Sequence, residues 1–204
     1  SNPEFLREGS AIEDFMKPDR VVVGVESEIA RKVMLDIYKP LYLRDFPILF
    51  TGIESAETIK YASNAFLATK ITFINEIANL CENCGADIKD VSKGMGLDKR
   101  IGDKFLHAGP GYGGSCFPKD TTALVNSGKE YDVEMLVTKT VIDVNQRIKE
   151  RMIDKIISLA EDSVKKKIIT VLGATFKPNT DDMREAPSLT IIPALQKKGA
   201  LVRV

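Results

Sequence analysis

Apolar residues recur along this chain with two different periods. Arg20-Val21-Val22-Val23-Gly24-Val25 is a β-branched run bounded by Pro18 and Asp19, the pattern of a buried strand. From Glu26 to Tyr38 the apolar positions Ile29, Val33, Ile37 and Tyr38 follow helical spacing, and Pro40 stops the helix. Pro47-Ile48-Leu49-Phe50-Thr51 reads as another strand. Strand, helix and strand in so short a span read as the closing part of an α/β unit whose opening part is missing. The longest helix is predicted from Glu54 to about Cys84, with Ile59, Ala62, Phe66, Ile74, Ile77, Ala78 and Leu80 mainly on one broad face and Gly85 as its stop. Asp87 to Met95 is a short helix that Asp87 can cap.

Residues 107–120 break the pattern. Four glycines and two prolines fall in these fourteen positions, and the segment is expected to be irregular. Helical spacing returns through Thr121 to Val125 and again from Val133 to about Leu159, long enough to bridge two domains. Ile168 to Gly173 is a strand flowing into a loop, residues 186–198 a helix opening at Pro187-Ser188, and Ala200 to Val204 a further strand. This is the start of a parallel sheet. Both ends look cut through α/β domains, with an all-helical middle between them.

Composition narrows the function classes. The 204 residues carry 29 Lys+Arg and 29 Asp+Glu, a net charge of zero, which argues against a nucleic-acid binder held by bulk charge. Hydrophobic residues at 44% and charged residues at 28% are ordinary for a folded protein. No apolar run approaches the roughly 18 residues of a membrane span, and the first residues lack the basic-then-apolar order of a signal peptide. Three cysteines do not make a disulfide framework, so a reducing, cytoplasmic setting is expected.

Chemistry concentrates in a few places. Cys116 follows Gly113-Gly114-Ser115 and precedes Phe117-Pro118-Lys119-Asp120. A helix starting near Phe117 would aim its N-terminus at the sulfur and favour the thiolate, the nucleophilic form. The same pattern also suits an inert cysteine beside a glycine turn, and spacing alone does not choose. Lys60 and Asn64, i and i+4 on the long helix, share a face. Turned inward they would stabilise an oxyanion or relay a proton; turned outward they are a solvated helix face. The loop 173–185 follows a strand end, where ligands of parallel sheets bind, and offers Lys177 and Arg184 to a phosphate. Cys81 and Cys84 form a CxxC, but with a single histidine in the chain they do not complete a zinc site, and no metal is expected.

Four segments together resemble the UDP-glucose/GDP-mannose dehydrogenase family, and its UDP-glucose 6-dehydrogenases in particular. They are Asn2-Pro3-Glu4-Phe5-Leu6-Arg7-Glu8-Gly9, the helix with Lys60 and Asn64, Gly111 through Asp120, and Phe176-Lys177-Pro178 through Arg184-Glu185. The resemblance implies NAD-dependent four-electron oxidation of UDP-glucose to UDP-glucuronate, a sugar acid used in surface polysaccharide. Related members act on UDP-N-acetylmannosamine or GDP-mannose. By resemblance Cys116 traps the C6 aldehyde as a thiohemiacetal and then carries a thioester. Lys60 and Asn64 would sit near C6, Asp120 would help position Lys60 and the water, and Glu4 would act in acid–base steps through water. Glu4, Phe5, Leu6, Arg7 and Glu8 would touch the sugar nucleotide, with Glu8 also near the nicotinamide. Phe105, His107, Gly109, Gly111, Tyr112 and Gly113 would form a loop over UDP. The family often has Lys where His107 stands. Phe176 and Lys177 would hold the sugar side, and Arg100 would reach a neighbouring subunit's site. Cys116, Phe117, Pro118, Lys119 and Arg184 would approach NAD.

The expected architecture follows. α/β remnants flank a mainly α-helical central dimerisation domain with a long helix, and a Rossmann-like parallel sheet starts at the C-terminal end. Residues 1–51 are read as the C-terminal remnant of the NAD-binding domain. Residues 52–146 are read as the central dimerisation and catalytic domain, and 147–204 as a connecting helix with the start of the UDP-binding domain. The family's Gly-x-Gly-x-x-Gly pyrophosphate turn does not occur in this sequence. The chain is therefore expected to be a fragment that does not turn over NAD by itself. The alternative from another class is a non-catalytic dimerisation module.

Overall fold

The computed structural model describes residues 1–41 and 46–204. They divide into two compact units, Ser1–Ser63 and Asn64–Val204. Each has a small two-stranded parallel sheet, and helices make up most of the second.

In the first unit, β1 (Val21–Gly24) lies parallel to β2 (Ile48–Thr51), with Val21 opposite Ile48 and Gly24 opposite Thr51. Helix α1 (Ala11–Met16), not among the elements expected from the sequence, precedes β1. Helix α2 (Glu28–Tyr38) connects the strands and runs on into a short 3₁₀ turn, Lys39–Leu41. Ser27 caps α2 by accepting a hydrogen bond from the Ala30 backbone N–H. All four β1 residues are buried, and Val21, Val23 and Tyr38 form a cluster with Met34, Phe46, Ile48 and Phe50. The N-terminal segment is laced to β1: Ser1 and Gly24 exchange backbone hydrogen bonds, and Asn2 donates to the Val22 carbonyl while accepting from the Tyr38 hydroxyl.

Helix α3 (Ile53–Cys84) begins in the first unit and continues into the second. Gly85, at φ 79°, ends it, and Asp87 caps the next helix, α4 (Ile88–Gly96), through the Lys89 N–H. The expected apolar face of α3 is only partly its buried face: Ile74 is fully buried, but Phe66 and Leu80 are 66% and 60% exposed. The other buried positions are Asn64, Ala65, Ala68, Thr72, Asn75 and Cys81. These small and polar residues let neighbouring backbone come close and hydrogen-bond. Ala68 packs with Tyr112 and Val141.

The irregular stretch is shorter than the composition suggests. It ends at Ser115, and α5 (Cys116–Glu130) contains Pro118 and the residues after it. Proline is tolerated in a first helical turn because its missing N–H has no intrahelical partner there. Helix α6 (Leu136–Leu159) starts three residues later than the periodicity implies, because a turn with Asp132 at φ 57° occupies its approach. Arg151 and Lys155 on α6 both pair with Glu82 on α3, Arg151 at 2.8 Å. β3 (Ile168–Thr170), α7 (Ser188–Lys197) and β4 (Leu201–Arg203) form the expected parallel unit. Ile153, Val164, Leu195 and Ala200 make its core with α6. Among the described residues, no helix is long and apolar enough to cross a membrane.

Leu195 is fully buried at the centre of that core. Replacing it with alanine removes buried methyl groups and leaves a cavity, at a cost of about 3 kcal/mol. A urea titration of Leu195→Ala is expected to show this as a lower midpoint with an unchanged slope. An unchanged midpoint would show that the site collapses around the smaller residue.

Candidate active site

In the second unit the glycine-rich loop is held from three directions. Asn145 on α6 accepts from the Tyr112 N–H at 2.8 Å and donates to the Tyr112 carbonyl at 3.1 Å. Asn75 on α3 accepts from the Gly109 N–H at 2.7 Å, and Ser92 on α4 donates to the Leu106 carbonyl. The loop 173–186 presses on the other side. A Cβ at Gly113 would stand 2.5 Å from the Glu185 carbonyl oxygen, and one at Gly114, whose φ is 81°, would stand 2.8 Å from the Phe176 ring. The Gly114 N–H donates to the Arg184 carbonyl at 2.8 Å. Gly113 is required by space, and Gly114 by space and by conformation.

The loop delivers the chain to Cys116 at the first residue of α5, with Ser115 before it. The thiol is free and half-buried, 3.7 Å from the Ser115 hydroxyl. Helix N-termini favour anions, so this placement suits a thiolate. One turn on, Asp120 is buried at 2% exposure and accepts a 2.5 Å hydrogen bond from the Asn64 amide. Lys119 is mostly exposed, with its ammonium 3.7 Å from Asp120. Phe117 stacks edge-on with Phe105 and Tyr112. Burial raises the Tyr112 phenol above its ordinary value, partly offset by the Thr121 hydroxyl.

The other expected residues of this unit take varied places. Phe105 has φ 64°, and His107 is exposed. Arg100 is bound to Asp98 by a fork of hydrogen bonds and is 89% exposed. Lys177 lies over the Phe176 ring, and Arg184 pairs with Asp182. The structure also brings in residues that the sequence reading missed: Asn75, Asn145 and Lys149. Asn75 and Asn145 are polar positions beside apolar ones on their helices, a signal the loop motifs overshadowed, whereas Lys149 lies in a polar, charged stretch that gives no such signal. Lys149 is buried and donates to the Glu185 carbonyl at 3.0 Å. Burial lowers its ammonium from the ordinary value, and the Glu185 carboxylate opposes that.

In the first unit, Lys60 turns inward at 13% side-chain exposure. Its ammonium donates to the Glu4 carbonyl at 2.5 Å and to the Glu4 carboxylate at 3.1 Å. That carboxylate also receives the Leu6 N–H. Phe5 lies under the Arg20 guanidinium at 3.9 Å. Arg7 forks onto Asp14, and Glu8 is half-buried. The outward-facing alternative for Lys60 and Asn64 is thus excluded, and each has its own carboxylate partner.

The raised Tyr112 phenol gives a pH dependence. The folded chain keeps its proton above the ordinary tyrosine value near 10, where the unfolded chain loses it. This contribution is fully present below about pH 10 and is lost as pH rises through the raised folded value. Thermal melts from pH 9 to 11.5 are expected to fall more steeply for the unmodified chain than for Tyr112→Phe. Parallel curves would refute the assignment.

Comparison with known proteins meets this geometry from the outside. The NAD binding domain of the UDP-glucose/GDP-mannose dehydrogenase family matches residues 1–42, its central domain 54–147 and its UDP binding domain 170–204. The UDP-glucose 6-dehydrogenase of Rhizobium meliloti is 57% identical over 204 residues, covering 99% of this chain and 47% of that protein. The UDP-glucose 6-dehydrogenase of Rickettsia bellii is 52% identical over 203 residues, 100% of this chain and 47% of that protein. A UDP-glucose dehydrogenase structure from Pyrobaculum islandicum superposes with a TM-score of 0.92 at 46% identity, covering 99% of this chain and 46% of that one. The chain spans about half the length of the curated relatives it matches. With three successive domains of one family matched in order, and with identity sustained from end to end, the chain belongs to the UDP-glucose/GDP-mannose dehydrogenase family.

Proposed function

We propose that this chain carries the thiol-bearing part of an NAD-dependent UDP-glucose 6-dehydrogenase, which converts UDP-glucose to UDP-glucuronate. The observation that carries the reading is Cys116 at the first residue of α5, delivered by a glycine loop with no room for side chains, one turn from the buried Asn64–Asp120 pair. NAD, when bound, supplies the acceptor for both hydrides. The residues assigned to it suit an anionic dinucleotide: Lys119 and Arg184 have side chains 71% and 63% exposed, at and near the N-terminal turn of α5 and its packed loop.

The chain's own residues have distinct tasks. Lys60 stabilises negative charge on the C6 oxygen as the alcohol and then the aldehyde react. The Cys116 thiolate adds to the aldehyde carbon, forming a thiohemiacetal. Oxidation of that adduct leaves a thioester. Water attacks its acyl carbon, the C–S bond breaks, and carboxylate and thiol are released. Asp120, fixed by Asn64, orients the water, and Glu4 moves protons through solvent. Phe105 to Gly113 cover the nucleotide, and Phe176 and Lys177 hold the sugar.

The same reading includes a homodimer built on α3. Phe66, Phe73 and Leu80 recur every seven residues and are all exposed in the isolated chain. Arg100 would then act in the partner's site.

Three experiments test these proposals. Iodoacetamide should label Cys116 quickly, and UDP-glucose but not glucose or GDP-mannose should slow it; a rate indifferent to every ligand would sink the substrate assignment. In a polypeptide of the relatives' full length, Cys116→Ser should abolish NADH formation. Leu80→Glu should convert a dimer to a monomer by light scattering during gel filtration, and an unchanged mass would remove α3 from the interface.

A further inference from the structure

Among the described residues Lys149 is the one buried cation, and the reaction scheme leaves it unused. A buried ammonium is retained only where its surroundings offset the loss of water. Its donor bond goes to the Glu185 carbonyl, and the Glu185 carboxylate stands 4.0 Å away. Glu185 has φ 52°, in the left-handed region that a non-glycine residue holds when its surroundings impose it.

That same carbonyl is the atom nearest the missing Cβ of Gly113, and the Ala186 Cα follows at 3.0 Å. The next residue, Gly114, donates to the Arg184 carbonyl. One turn before Lys149 on α6, Asn145 takes both backbone groups of Tyr112. A Cβ at Gly111 would meet Asn145 at 2.8 Å and the Lys149 stem at 3.4 Å. The pair i and i+4 on α6 therefore grips the loop twice, Asn145 directly and Lys149 through Glu185. Ser115 and Cys116 come next in the chain.

We propose that Lys149 is a positioning residue for Cys116: by holding the Glu185 carbonyl against Gly113, it sets how the loop enters α5 and hence how the thiol is presented. The inference rests on the reading of Cys116 as a nucleophile. Lys149→Met keeps the stem and loses the donor. Lys149→Arg keeps the charge and the donor.

The chain's three thiols make the test self-controlled. Cys81 is buried and reports unfolding, Cys84 is exposed and serves as the reference, and Cys116 is the probe. Iodoacetamide rates are measured for each by mass spectrometry of peptides. In the unmodified chain Cys116 is expected to react faster than Cys84. Lys149→Met should slow Cys116 about tenfold, the scale on which small misplacements act, with Cys84 unchanged and Cys81 protected. Lys149→Arg should restore most of the rate. A folded Lys149→Met chain that alkylates Cys116 at the original rate overturns the inference. If unmodified Cys116 reacts no faster than Cys84, the nucleophile reading itself fails and takes the inference with it. If Lys149→Met exposes Cys81, Gly113→Ala decides, since it forces the same contact from the other side. A slowed Cys116 upholds the inference, and an unchanged rate overturns it.

Discussion

Between the backbone of Gly113 and that of Glu185 there is no space for one more carbon atom. Much of the second unit can be understood from that contact. The loop before α5 and the loop after β3 approach as bare backbone; the Gly114 N–H donates to the Arg184 carbonyl across the contact, and the remaining backbone groups need partners elsewhere. Asn145, Asn75 and Lys149 supply several of them from α6 and α3. The result is a loop whose conformation is set by buried polar groups, not by regular structure. It delivers one thiol at a defined point, the start of α5.

The charged groups follow a common logic. Asp120 is nearly inaccessible and is matched by the amide of Asn64; Lys60 is largely inaccessible and is matched by the carbonyl and carboxylate of Glu4. Removing one member of such a pair leaves the other desolvated without compensation. The pairs thus hold these side chains in one orientation while keeping them ionic or polar. The long helix performs a different division of labour. Asn64, Ala68 and Asn75 are buried, with Asn75 holding the loop and Ala68 packed on Val141 of α6, while Phe66, Phe73 and Leu80 are exposed.

Much of this was legible in the amino-acid order. The β-branched run at Val21–Val23, the 3.6-residue spacing of α3 and α6 and the strand–helix–strand at the C-terminal end are local patterns. Local patterns determine element type because backbone geometry repeats every two or 3.6 residues. The glycine loop and its cysteine stood out for the same reason: only glycine tolerates such approach and such φ. The motif order around Lys60, Cys116 and Lys177 was enough to identify the family.

Other features depended on what lies far along the chain. Periodicity marked an apolar face on α3, yet of its large residues Ile74 is buried while Phe66 and Leu80 are exposed, and small and polar residues fill most of the buried face, where Tyr112 and Val141 come close to Ala68. Composition made residues 107–120 irregular, but the first turn of a helix accepts Pro118, so α5 starts at Cys116. Nothing near Lys149 in sequence distinguishes it from the other lysines of α6. The sequence by itself determined most of the elements, the place of Cys116 after a glycine loop, and the family. Only tertiary structure decided which polar side chains are buried and what they hold, because the bonds from Asn145 to Tyr112 and from Lys149 to Glu185 join residues 33 and 36 positions apart.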